Sequence, residues 1–287
     1  MASFEQQLTG GTLFSGIEGA GVVSPRDFPK VDVLHASPPC QPYSMGRDPA
    51  DSPRRRIAGV IPDWIRHVRP SGFSLEQVTK FRNSSYCRQI LAVLEDCGYS
   101  IFHGVVDAYD YGLPQHRRRY LLLASRHGWI ERPTPSLFRS GWVCATRDLW
   151  AELPEASPLK TQETAYGPLS EWWSISSYPF LIQRIGAPRP STGSPYICLY
   201  DAASRTVKAM GGDRHWRQMN LYRDGRLFSP GLRFYARLQS FPDWFNFKPF
   251  DQCRRDRAAK GIGNAYPPDL AEMMFRILQR AIVGAAA

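Results

Sequence analysis

Cys40 is the residue of this 287-residue chain best placed to act as a nucleophile. It follows Pro38–Pro39 just beyond Val31–Asp32–Val33–Leu34, an apolar stretch that reads as a strand. Open α/β sheets receive their ligands at the carboxyl ends of strands. Two prolines stiffen such a turn and present the thiol rather than bury it. Read alone, a cysteine is more often inert and buried. Arg117 and Arg119 alternate on another expected strand, so both can point to one side while Arg118 points away. A solvated basic run is the plainer reading, but the following Tyr120–Leu121–Leu122–Leu123 argues against a wholly solvated segment.

The elements that must position these residues alternate. Gly11–Phe14 reads as a strand entering the glycine-bearing turn Ser15–Gly21. Ile61, Trp64, Ile65 and Val68 follow helical spacing, as do Tyr86, Ile90, Leu91, Leu94 and Cys97. Between those helices, Phe73–Val78 reads as a strand and the loop leaving it; 100–106 and 119–124 are further strands. Strands alternating with helices predict an α/β domain with a parallel sheet. After Ser125 the texture changes. Nine prolines fall between Pro133 and Pro195, with no sustained period. Trp142, Trp150, Trp172 and Trp173 need burial, which favours a separate irregular domain over disorder. Leu270, Met273, Met274, Ile277, Leu278 and Ala281 predict a closing helix, opened by Pro267–Pro268–Asp269, that docks on the first domain.

Composition narrows the classes. A net charge of +10 and a pI near 9.5 are compatible with nucleic-acid binding, because phosphate contacts release counterions. No run of about 18 apolar residues predicts a membrane span, and Met1–Gly11 lacks the order of a secretory signal. The six cysteines show no CxxC spacing, so no zinc site and no disulfide framework is expected. A cytoplasmic, reduced protein without a metal is the simplest reading.

Ser37–Pro38–Pro39–Cys40–Gln41–Pro42–Tyr43–Ser44 resembles the catalytic loop of the DNA cytosine-C5 methyltransferase family. Five other segments resemble motifs of that family, all in its order. They are Phe14–Gly19, Glu76–Gln77–Val78, Gln115–Arg119, Ala236–Asp243 and Gly263–Pro268. The resemblance implies a Rossmann-like S-adenosylmethionine-dependent methyltransferase fold with a second, small target recognition domain. Residues 1–126 plus 258–287 would form the catalytic and cofactor-binding domain, and 127–257 the recognition domain.

It also implies chemistry. Cytosine C5 becomes nucleophilic once a thiolate adds at C6, and Cys40 would supply that thiolate. Glu76 would offset the charge building on N3, although without the motif it reads as an ordinary solvated glutamate. Arg119 would hold the cytosine carbonyl and Arg117 support the catalytic loop. Phe14, Ser15, Gly16, Ile17, Pro38, Asn264 and Ala265 would bind S-adenosyl-L-methionine. Gln41, Ser44, Arg205, Lys208, Gly211 and Gly212 would meet duplex DNA, with the target base flipped out. A monomer is expected, with a cognate restriction enzyme as an admissible partner.

The chain departs from the family's pattern at Glu18, Gln77 and Tyr266, and most of all in one length. Only the fourteen residues Ile17–Lys30 separate Gly16 from the strand at Val31. A nucleotide-binding βαβ unit takes about 30 residues, with an acid about 20 positions after its glycines to hold the ribose. The nearest acids here are Asp27 and Asp32. The sheet is therefore expected to lack part of one side. Two functions stay open: methylation of cytosine in duplex DNA, or a catalytically impaired DNA-binding homologue without a complete cofactor site. RNA is a weaker third substrate.

Overall fold

The computed structural model describes residues 8–13, 29–44, 56–135, 157–158, 163–164, 167–168, 180–183, 196–198, 202–209, 219–223, 226–229, 231–247 and 257–284. It separates into two compact units. One comprises 1–106, 118–134 and 271–287; the other comprises 107–117 and 135–270. Compactness thus groups 107–117 and 258–270 with the second unit, where the division by function puts them with the first.

The first unit is built on strands β1 (Gly10–Leu13), β2 (Val33–Ala36), β3 (Gly72–Val78), β4 (Ser100–Asp107) and β6 (Arg118–Ser125). The last follows β5 (Gln115–His116), a two-residue strand of the second unit. The sheet order is β1-β2-β3-β6-β4. β1, β2 and β3 are parallel, whereas β6 lies antiparallel against β3, so the sheet is mixed rather than wholly parallel. Among the described residues β1 forms one edge; residues 14–28, which would decide whether the sheet is shortened on that side, lie outside them.

Helices sit where the apolar spacing predicts them. A short turn of helix, α1 (Gln41–Ser44), follows Cys40. α2 (Ile61–Val68) buries Ile61, Trp64, Ile65 and Val68, and ends on Arg69 in the left-handed region. α3 (Ser85–Asp96) starts where the Ser84 hydroxyl accepts from the Cys87 N–H at 3.1 Å, which satisfies one orphan donor of its first turn. Phe73, Leu75, Leu122 and Ala124 from the central strands join Ile65, Ile90 and Leu94 from the helices in one core.

The second unit is irregular in sequence yet carries a five-stranded sheet of short strands, in the order β11-β10-β13-β14-β7. These are β7 (Ser157–Pro158), β10 (Phe180–Gln183), β11 (Tyr196–Cys198), β13 (Met219–Arg223) and β14 (Arg226–Ser229), all antiparallel to their neighbours. β8 (Glu163–Thr164) and β9 (Gly167–Pro168) form a separate pair, and β12 (Ser204–Arg205) runs parallel to β5. Strands of two to five residues are too brief to show a period in sequence. α4 (Gly231–Leu238) and α5 (Arg257–Asn264) close this unit over Met219, Leu221, Phe234, Leu238 and Ile262. The last helix, α6 (Pro268–Val283), packs on the first unit as expected: a Cβ on Gly72 would meet Ile282 Cδ1 at 2.9 Å and Leu278 Cδ2 at 3.4 Å.

His35 on β2 lies opposite Ser74 on β3, its Nδ1 2.9 Å from the Ser74 hydroxyl and its ring edge-on to Phe275. Burial depresses its pKa from 6.5 to about 4, because the enclosed site disfavours the imidazolium. Between those values the unfolded chain binds the extra proton and the folded chain does not. Stability therefore falls as pH drops from about 6.5 towards 4, by at most about 3 kcal/mol. Urea unfolding at stepped pH is expected to show a shallower acid slope for His35→Gln than for wild type. Equal slopes would refute the assignment.

Candidate active site

The loop carrying Cys40 leaves the sheet beside a charged pair. β2 and β3 are in register with Ala36 opposite Leu75, which brings Ser37 level with Glu76 on the neighbouring strand. The Ser37 hydroxyl donates to Glu76 Oε2 at 3.3 Å. Glu76 Oε1 lies 2.9 Å from Arg119 Nε, and the two side chains are only 8% and 13% exposed. In β6 Arg119 stands opposite Val78, so its guanidinium reaches two residues back along β3 to the carboxylate. Partial burial strengthens this pair relative to a surface pair. Cys40 itself is half-buried, and its carbonyl accepts from the Tyr43 N–H, starting α1. Tyr43 is buried edge-on against Phe81 at 4.9 Å, which anchors the far side of the loop.

Gln77, where the family pattern has asparagine, does not loosen this arrangement. Its amide is buried; Nε2 donates to the Pro38 carbonyl at 2.5 Å and Oε1 accepts from the Val78 N–H at 2.6 Å. The longer side chain spans from β3 to the loop before Cys40. Both Ser37 and Gln77 thus fix the turn before Cys40, and neither was assigned such a part from sequence.

Arg117 belongs to the second unit. The chain breaks between β5 and β6 at this residue, so Arg117 and Arg119 do not share a strand as the alternation predicted. The Arg117 side chain is 1% exposed, and its guanidinium donates to the carbonyls of Val207 at 3.1 Å, Gly263 at 3.0 Å and Ala265 at 2.8 Å. Its peptide is gripped too: the N–H donates to Asp107 Oδ1 at 2.8 Å and the carbonyl accepts from Ala108 at 3.0 Å. Alongside it Gln115 accepts from the Val207 N–H and donates to Leu238 O and Gln239 Oε1, and Gln239 donates onward to Ile262 O. Three motif segments far apart in sequence converge on this buried polar relay. Only the glutamines' place inside motifs hinted at it.

Of the residues expected to hold the methyl donor, Pro38, Asn264 and Ala265 lie among the described ones. β1, β2 and β3 end at Leu13, Ala36 and Val78 on one edge, and Pro38 is buried there. Asp32 cannot be the ribose acid from that edge. It stands at the opening end of β2, where its carboxylate accepts from the Thr9 N–H and hydroxyl, each at 2.8 Å. Those bonds also lower its pKa. Ala265 has its N–H on Gly261 O and its carbonyl on Arg117, which leaves only its methyl to offer. Asn264 is exposed. Phe14, Ser15, Gly16, Ile17, Asp27, Gly211 and Gly212 lie outside the described residues, and so do the side chains of Gln41 and Ser44. Arg205 and Lys208 are exposed.

The model of the C-5 cytosine-specific DNA methylases matches residues 17–167, more than half of the chain. The chain belongs to that family. It is a DNA cytosine methyltransferase. Curated relatives agree. The Type II methyltransferase M.AplI of Arthrospira platensis is 29% identical, over 88% of this chain and 69% of its own. M.MthTI of Methanothermobacter thermautotrophicus is 25% identical, over 91% and 82%. Among solved structures the fold is shared with the S. pombe Dnmt2 methyltransferase, with a TM-score of 0.60, 18% identity, and coverage of 90% of this chain and 81% of that one. A putative DNA modification methyltransferase from an E. coli prophage gives a TM-score of 0.58 at 18% identity, covering 89% and 80%. Among the described residues no helix is long and apolar enough to cross a membrane, and no cluster of metal ligands occurs.

Proposed function

We propose that the methylase transfers a methyl group to C5 of cytosine in duplex DNA through a covalent bond from Cys40 to C6 of a flipped base. The observation that supports this best is the pairing of Glu76 with Arg119 beside the Cys40 loop, with Ser37 hydrogen-bonded to the same carboxylate. Cys40 Sγ adds to C6, and the electron pair of the C5–C6 double bond moves towards N3 and the ring carbonyl. Glu76 meets N3 and Arg119 meets the carbonyl oxygen, so the developing charge falls on groups already held in place. C5 is then an enamine carbon. S-adenosyl-L-methionine, when bound, supplies the electrophilic methyl; Phe14, Ser15, Gly16, Ile17 and Pro38 would hold it. Loss of the C5 proton restores the double bond and expels the Cys40 thiolate. Arg205 and Lys208 contribute phosphate affinity. Base flipping is required because C5 and C6 are stacked within a duplex.

Duplex DNA carrying 5-fluorocytosine tests this, because fluorine at C5 blocks the final elimination. A denaturation-resistant protein–DNA adduct is expected only when S-adenosyl-L-methionine is present. No adduct under either condition would instead mark the chain as a DNA-binding homologue with an incomplete cofactor site.

A further inference from the structure

The segment 204–208, which carries the two exposed cations Arg205 and Lys208, is held at successive residues by parts of the chain that lie far away in sequence. Ser204 and Arg205 pair in parallel with Gln115 and His116, and the Ser204 N–H donates to Pro114 O at 2.8 Å. The Thr206 hydroxyl donates to His116 O at 2.6 Å. Val207 is gripped at both ends of its peptide, its N–H by Gln115 and its carbonyl by Arg117. Gly263 on α5 then closes on the next peptide. A Cβ built there would overlap the carbonyl of Lys208 and the nitrogen of Ala209. Burial follows the grip: Ser204 and Val207 face inward, whereas Arg205 and Lys208 are exposed.

Gly263 is informative because it sits in a helix, where alanine is normally the better residue. Gly261, two positions earlier in the same helix, has nothing within 4 Å of an added Cβ. The demand for glycine at 263 therefore comes from the close approach of the 208–209 peptide, not from the helix.

We propose that Gly263 is a positioning residue for DNA binding: with Gln115 and Arg117 it fixes the 204–208 backbone so that Arg205 and Lys208 reach phosphates together. The inference rests on the reading of those two cations as DNA contacts, and adds what sets their register. It gives the closing motif a part in holding the recognition segment, separate from any part in holding the methyl donor.

Equilibrium binding of the full chain to a fluorescent duplex, measured across about 50 to 300 mM KCl, separates the possibilities through the salt slope. Lys208→Ala is expected to reduce that slope by about one. Gly263→Ala, which shifts the backbone of both cations, is expected to reduce it by about one to two and to weaken binding roughly tenfold, while Gly261→Ala matches wild type. The Gly263→Ala, Lys208→Ala double variant is expected to bind no more weakly than the worse single variant, because the Lys208 contact is already lost in Gly263→Ala. Thr206→Val loses only the hydroxyl bond to His116 and should shift the slope the same way. It carries the test should Gly263→Ala not fold. A wild-type slope in Gly263→Ala, or in Thr206→Val if that is the variant used, overturns the proposal, as do fully additive losses in the double variant. Unchanged slopes in both Arg205→Ala and Lys208→Ala would show that the DNA-contact reading itself fails, and the register with it.

Discussion

Replacing Cys40 with alanine is expected to lower methyl transfer by at least about 10⁴-fold while leaving affinity for DNA within about threefold of wild type. The split follows from where the thiol acts. Cys40 is half-buried on the loop that Ser37 ties to Glu76, and in the proposed mechanism it contributes a bond that exists only along the reaction path. Removing a group used only beyond the ground state lowers kcat and kcat/KM together and spares binding. The fold should tolerate the change, because the loop is held by other contacts. Gln77 grips the Pro38 carbonyl, the Cys40 carbonyl caps the turn into α1, and Tyr43 is buried against Phe81. None of these uses the sulfur. Tritiated methyl transfer to duplex DNA, read beside a binding isotherm on the same preparation, checks the prediction. Transfer within tenfold of wild type would remove the thiol from the mechanism, and a parallel loss of binding would point to a damaged loop instead.

How much of this was legible in the sequence depends on the range of the interaction concerned. α2, α3 and α6 were readable because each buries a long apolar face, as Trp64, Ile90 and Leu278 show. β3 and β6 were readable because buried runs such as Leu121–Leu122–Leu123 need a sheet. The antiparallel direction of β6 was not, since strand direction is fixed by tertiary pairing and leaves no mark on side-chain period. The sheet of the second unit escaped for a related reason: its strands are too short to alternate visibly, and several partners are distant in sequence, as Leu181 is from Cys198 and Phe228 from Pro158. Cys40, Glu76 and Arg119 could be singled out in sequence because their motifs are local, and the fold pairs Glu76 with Arg119 beside Ser37. The roles of Ser37, Gln77, Gln115 and Gln239 could not be, because each acts by meeting a backbone or side-chain group that only folding brings near. Asp32 was legible in both sequence and fold. Sequence set it on the strand leading to Cys40 rather than at the end of a second strand after a crossover helix, and the fold ties it to Thr9 at the opening end of β2.

Arg117 carries the second large effect, and it is one of stability rather than chemistry. Arg117→Met is expected to destabilise the chain by about 3 to 5 kcal/mol, a large part of the roughly 5 to 15 kcal/mol that holds a typical domain folded. The methionine fills a similar volume but donates nothing. The carbonyls of Val207, Gly263 and Ala265 each lose a charge-assisted donor in a site where the native side chain is 1% exposed. Water cannot readily replace three donors arranged in one plane, which is what a guanidinium provides. Arg117→Lys makes the sharper comparison. It keeps the charge, but a single ammonium cannot span carbonyls from residues 207 and 265 with the same geometry, so most of the loss should remain. Equilibrium urea unfolding followed by tryptophan fluorescence measures both variants. The loss should appear as a lower midpoint at an unchanged slope, the mark of a weaker native state rather than a different one. A midpoint for Arg117→Met that converts to less than about 1 kcal/mol would mean that the three carbonyls find other donors, and that the convergence of motifs on Arg117 is not what holds the second unit closed.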